Sequence, residues 1–372
     1  MTARRSQRRP GTPNPADDRA FHRALQRQVD ALAATVTLKD PPDGLSVTAE
    51  REWREQVAAA WLYLSCVAVW AEDHQLVEPL LRSAPPGIAR NAASAPLWLG
   101  RAFEALTRHP STQWLLHPEY NPMLWAGAPS AAACDDLIRW WATQAPSLAW
   151  PDQDGYPPSI SGWVIGDLLQ ILSPQRRARH ALVQTPHYVA DFILDRTLHP
   201  AADTFREEPV LRLIDPTVGT GHYLVRAVDY LWQWYTAGRM DARSVEQPPI
   251  TGGHTLPPGE AIRRILAGVD GVDIDPLTVA VARLRMTVYL GHLLADAGLL
   301  PRPLRLAAVP AWVTPRIAVG DSLLIGKISR AEYGRLRPHL VDLPGAAFPL
   351  PGFTWTADEA ATTAPPRRGR RS

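Results

Sequence analysis

The sequence predicts an α/β fold: a parallel sheet interleaved with helices, preceded by an α-helical N-terminal domain. Three observations carry this. Short apolar runs near 210–214, 267–273 and 316–319 stop at or just before an acidic residue. Segments of helical period separate them, the layout of parallel βαβ units. Upstream of residue 180 the periodic segments read as helices.

Composition sets the outer limits. A chain of 372 residues holds one large domain or two ordinary ones. Its 46% hydrophobic and 20% charged content favours a folded core over wholesale disorder. The net charge of +2 neither demands nor excludes a nucleic-acid partner. Cys66 and Cys134 lie in apolar helical surroundings and read as core thiols in a reducing compartment; no metal site is expected. The longest apolar run, Val57 to Ala71, is shorter than the about 20 residues that span a bilayer, and the Arg-rich N-terminus has no secretory core. The expectation is a cytoplasmic protein with no membrane partner.

In chain order, residues 1–17 read as a disordered basic tail and 18–180 as the helical domain. One helix is predicted from Asp18 to about Leu38 and a longer one from an N-cap at Ser46 or Thr48 towards Leu81. Others fall at Pro96–Thr107, Ser130–Ala145 and Gly162–Leu172, with Trp98, Trp114, Trp125, Trp140, Trp141 and Trp150 packing the lobe. Arg176, Arg177, Arg179 and His180 form the densest internal basic cluster. Residues 181–326 form the sheet domain. It opens on a helix with Thr185 as N-cap and Pro186 in its first turn.

The centre of the prediction is Val210 to Leu224. Apolar residues to Ile214 make a buried strand that Asp215-Pro216 ends, because proline cannot donate to a ladder. Thr217, Gly219, Thr220 and Gly221 make a loop, and helical spacing resumes at His222. Such a loop admits a ligand to its backbone, and the helix N-terminus offers unpaired N–H groups. Thr236–Pro258 reads as a surface insertion, Leu277 to about Ala297 as a crossover helix, and Arg316–Val319 as the third strand. Residues 327–372 read as irregular and partly disordered.

Asp215, Asp273 and Asp321 therefore lie at three strand tips along one rim, where open α/β sheets bind ligands. Carboxylates so placed suit a ligand with several donors and a cation, and S-adenosylmethionine (SAM) is one. Ile274 would pack on its adenine. A dinucleotide fits less well, since a third glycine is missing and the next acidic strand tip lies far beyond the usual about 20 residues.

The segments TPHYVADFIL (185–194), DPTVGTGHYL (215–224), GVDIDP (271–276) and GDSLL (320–324) occur in that order. The chain thereby resembles the adenine-specific DNA methyltransferases of the gamma arrangement, and within them the BREX and phage-growth-limitation branch. Trp61–Leu76, Asn121–Trp125 and Ile165–Leu169 extend the likeness, so it covers roughly residues 50 to 326. The resemblance implies a Rossmann-like class I SAM-dependent methyltransferase sheet. It implies that Thr185 and Pro186 border the methionine end, with Tyr188 nearby. Asp215, Pro216, Thr217, Gly219 and Gly221 would form the cofactor loop. Asp273 would hold the ribose, with Ile274 on the adenine face, and Asp321 with Ser322 the adenine. It further implies methyl transfer to the exocyclic amine of adenine in double-stranded DNA, in restriction-modification or phage defence.

One part of the family pattern is missing. No Asn/Asp-Pro-Pro-aromatic motif follows Leu324, so no catalytic residue is assigned. A fourth strand is not visible either, leaving the sheet incomplete and an apolar edge on the first strand, which should be central. Three outcomes are open: residues 328–358 improvise a cover, a second polypeptide brings the missing half, or the chain is a truncated methyltransferase that binds SAM poorly. A non-catalytic SAM-binding or DNA-associated subunit is the alternative function.

Overall fold

The computed structural model describes residues 19–41, 44–84, 94–150, 157–173, 183–325, 327–341 and 343. The basic tail, the Arg176–His180 cluster and everything from 344 onward lie outside the described residues.

The longer helices described in the N-terminal lobe are α1 (Arg19–Ala33), α2 (Val47–Asp73), α3 (Ser94–Ala105), α4 (Ala131–Thr143) and α5 (Trp163–Leu172), with one further helical turn at Pro122–Trp125. Serine caps start two of them, Ser46 accepting from the Ala49 N–H and Ser130 from the Ala133 N–H. Two helices end earlier than predicted, each for a tertiary reason. α1 stops at Ala33 because Thr37–Leu38 pairs antiparallel with Gly127–Ala128. α2 stops at Asp73 because the Glu72 carboxylate accepts the N–H groups of Leu80, Leu81 and Arg82 at 2.8–3.0 Å and folds the chain back. Trp70 and Trp141 are fully buried, in line with core packing, whereas Trp125 is exposed. Both cysteines are free and buried, and burial pushes the Cys134 thiol up to about 12.

The second half contains α6 (His187–Leu194), α7 (Leu198–Thr204), β1 (Leu213–Asp215), α8 (His222–Thr236), α9 (Pro258–Gly268), β2 (Val269–Asp273), α10 (Pro276–Asp296) and β3 (Arg316–Val319), then the short α11 (Arg330–Leu336) and α12 (Pro338–Val341). The three strands form one parallel sheet in the order β1-β2-β3. This is an α/β arrangement of mixed helix and sheet with a small parallel sheet.

Several expectations change. β1 begins at Leu213 rather than Val210, because the Leu211 N–H donates to the Tyr235 hydroxyl instead of to a strand. Among the described residues β1 pairs only with β2, which leaves it at the edge of the sheet, as expected without a fourth strand. Pro186 takes the cap position of α6 and Thr185 makes no capping bond. The 236–258 insertion carries a two-residue ladder, Arg239–Met240 with Ile250–Thr251, and Asp195 pins it through the N–H groups of Arg243 and Ser244. The segment after 326, expected to be irregular, folds as α11 and α12.

Side chains in register share a face of the sheet. Gly271 and Ile317 face α8: a Cβ at Gly271 would stand 2.9 Å from Leu224 Cδ1. Val272 and Ala318 face the other way and pack with Ile325 and Tyr333. α10 is long and apolar enough to cross a membrane by composition, yet 89% of its apolar window is buried at the centre of this fold.

Candidate functional site

The glycine loop after β1 is stitched to β2. The Val218 N–H donates to Val272 O at 2.9 Å, and the Gly219 N–H donates to Asp273 Oδ2 at 2.8 Å. Asp273 Oδ1 accepts the Asp275 N–H at 2.8 Å. Each carboxylate oxygen of Asp273 thus already holds a backbone donor, and the Thr278 hydroxyl also interacts with the group, which leaves it part of its acceptor capacity. Burial raises its pKa, opposed by those donors.

Gly219 and Gly221 adopt φ of 52° and 89°. Residues with a Cβ are strained there, which is the local reason for glycine at both positions. Gly221 also lies close to α10, where an added Cβ would stand 3.4 Å from Ala282 Cβ.

Asp215 closes β1 and accepts the Thr217 N–H at 3.1 Å. Among the described residues no cationic side chain pairs with it. Burial pushes its pKa up to about 6, with repulsion from Asp273 adding to the rise and the Thr217 N–H opposing it. Asp321 differs, because Arg337 reaches it from just beyond α11, with Nε and Nη2 at 3.0 and 2.9 Å.

A cavity of about 280 Å³ opens beside the loop. It brings together Thr185, Asp215, Pro216, Thr217 and Gly219 of the predicted residues. Pro186 instead caps α6. Tyr188 lines a neighbouring cavity of about 810 Å³ with Phe192, Arg226 and Arg243. Gly221, Asp273, Ile274, Asp321 and Ser322 do not line the smaller cavity. Sequence reasoning passed over Gln184, His222 and Tyr223, which do. Their only signal was adjacency, Gln184 preceding Thr185 and His222 following Gly221. Donors on the loop and an uncompensated carboxylate can hold a cationic or hydroxyl-bearing ligand.

The parallel sheet, the glycine loop and the acidic strand tips make this a mixed α/β fold with a candidate ligand site at the sheet's carboxyl edge. Over 292 residues, 72% of the chain, it is 31% identical to the adenine-specific methyltransferase PglX of Streptomyces coelicolor, bearing out the resemblance carried by the motifs. The chain spans 22% of that protein's length. No family model matches the sequence. Among solved structures, the Type IIL restriction-modification enzyme MmeI in complex with DNA superposes with TM-score 0.37 at 13% identity, over 82% of this chain and 40% of that one. A DrdV–DNA complex gives TM-score 0.35 at 14% identity, over 83% and 23%.

Proposed function

We propose that the chain is the SAM-binding part of an adenine-specific DNA methyltransferase, with a Rossmann-like class I sheet and double-stranded DNA as its substrate partner. The observation that carries this reading is Asp215, a buried carboxylate without a cation beside a glycine loop, in a chain related to PglX. SAM supplies an electrophilic methyl group. Asp215 would face its cationic end, with Thr185, Thr217 and the Gly219 backbone around it. Asp273 keeps acceptor capacity for the ribose. Asp321 is engaged by Arg337, so a contact to adenine requires that pair to share or open. In this division of labour residues 181–326 bind the cofactor and 18–180 buttress them. The setting would be cytoplasmic, in restriction-modification or phage defence.

Side chains to hold the target adenine are not identified in this sequence. A second polypeptide carrying Asn-Pro-Pro-Tyr would supply them, docking at the β1 edge beside exposed Val183, Tyr188, Phe192, Ile193 and Ile214. A non-catalytic SAM-binding or DNA-associated role is the second reading, favoured by the missing motif. Calorimetric titration of the purified chain with SAM tests the cofactor assignment. Binding is expected, and it should weaken in Asp273→Ala. No heat of binding, or an Asp273→Ala titration identical to wild type, would sink it. Adenine methylation of DNA only after adding a polypeptide that bears the motif would decide for the first reading over the second.

A further inference from the structure

Helix α5 presents Trp163, Gly166, Asp167 and Gln170, spaced i, i+3, i+4 and i+7 and so on one face. All four reach the elements that build the small cavity. The Trp163 and His222 rings meet edge to face, with centroids 4.0 Å apart. At Gly166 a Cβ would fall 2.3 Å from His222 Cε1 and 2.5 Å from Thr220 Oγ1, so only glycine lets the helix come this close. Asp167 Oδ1 lies 3.4 Å from His222 Nε2. Gln170 Oε1 accepts the Gln184 N–H at 2.8 Å.

The third member comes from α10. Arg285 is fully buried and donates through Nη1 to Thr220 O at 2.7 Å and to His222 Nδ1 at 3.0 Å; its Nε donates to Ser161 O at 3.0 Å. A guanidinium cannot accept, so Nδ1 of His222 must be bare and Nε2 must carry the proton, directed at Asp167. A neutral imidazole thus lies between a buried cation and a carboxylate, hydrogen-bonded to Arg285 and 3.4 Å from Asp167, its Nε2 making no hydrogen bond among the described residues. Thr220 Oγ1 in turn donates to Gln184 Oε1 at 3.0 Å. Gln184 Nε2 is buried at the cavity wall without a hydrogen-bond partner among the described residues, a donor for a ligand oxygen.

We propose that the Asp167–His222–Arg285 relay, with Gln170, is a positioning device through which helix α5 sets the conformation of the glycine loop and thereby its affinity for cofactor. The affinity part rests on the SAM reading above; the loop part does not. The experiment is hydrogen exchange of the 216–222 loop in the ligand-free chain, paired with S-adenosylhomocysteine titration. Asp167→Asn and Gln170→Leu should each speed exchange of the Val218, Gly219 and Gly221 amides by about tenfold, the first by removing the carboxylate charge beside His222 and the second by removing one hydrogen bond. Helices α2 and α4 should exchange as in wild type. Gln170→Glu keeps the acceptor and should restore slow loop exchange. His222 should show the Nε2–H tautomer by nitrogen NMR. Loop exchange unchanged in Asp167→Asn, or accelerated equally across the whole protein, would overturn the proposal. Faster loop exchange in a chain whose wild type ignores S-adenosylhomocysteine would leave the relay standing and refute the cofactor reading alone. Titrations unaffected by Asp167→Asn, where wild type binds, would overturn the link from relay to affinity.

Discussion

The two ends of one face of the sheet are built differently. Over β2 and β3, Val272 and Ala318 are covered by Ile325 and by Tyr333 of α11, and Asp321 just past β3 is neutralised by Arg337. Over β1, Ile214 shares that face, in register with Asp270, yet remains 39% exposed. Asp215 at the β1 tip has no cation near it among the described residues. Among the described residues, packing and charge balance are complete at one end only. Apolar surface and an uncompensated carboxylate at the other end are features that a ligand or partner, rather than the fold, would satisfy.

Breaking the finished end should have the largest effect. Tyr333→Ala empties a fully buried position and should cost about 3–5 kcal/mol, read from the midpoint of denaturant unfolding. A loss under about 1 kcal/mol would mean that α11 does not cover the sheet in solution.

At the unfinished end the sign reverses. A carboxylate raised from 3.8 to about 6 holds its proton more tightly in the folded state. Its contribution is therefore fully present below about pH 4 and lost as pH rises through 6, a cost of about 3 kcal/mol at neutral pH. Asp215→Asn should accordingly stabilise the ligand-free chain at pH 7 while weakening SAM binding. His222 runs the other way. Burial and the nearby Arg285 depress its pKa from 6.5 to about 4, so stability present above 6.5 is lost as pH falls towards 4. The two slopes offset in wild type between pH 4 and 6. In Asp215→Asn the acid loss should steepen, and unfolding curves at pH 4, 5, 6 and 7 would reveal it.

Arg337→Met would make the two carboxylates alike. With Arg337 about a third exposed, the loss should be about 1–2 kcal/mol, smaller than for a fully buried pair. The midpoint of denaturant unfolding reads that loss. The smallest effect is expected at Ile214→Ser, within about 0.5 kcal/mol because the side chain is already part exposed. Its consequence should be better solubility, or failure to bind a partner that docks on β1, measured by light scattering and co-purification.

Local features of this protein were legible in its sequence. A cap at Ser46, one of the two candidates, the strand–glycine loop–helix order ending in α8, and three acidic strand ends all follow from residues near one another in the chain. Backbone conformation and side-chain period are short-range properties, and a linear pattern records them. What each acidic tip is engaged with was settled only by tertiary structure. Asp273 meets the Gly219 amide and Asp321 meets Arg337, while Asp215 meets no cation among the described residues. The docking of Gly166 and Asp167 onto His222, and of Arg285 onto Thr220, joins residues more than fifty positions apart. Charge compensation and close approach depend on which distant elements pack together, and no local period in the sequence carries that information.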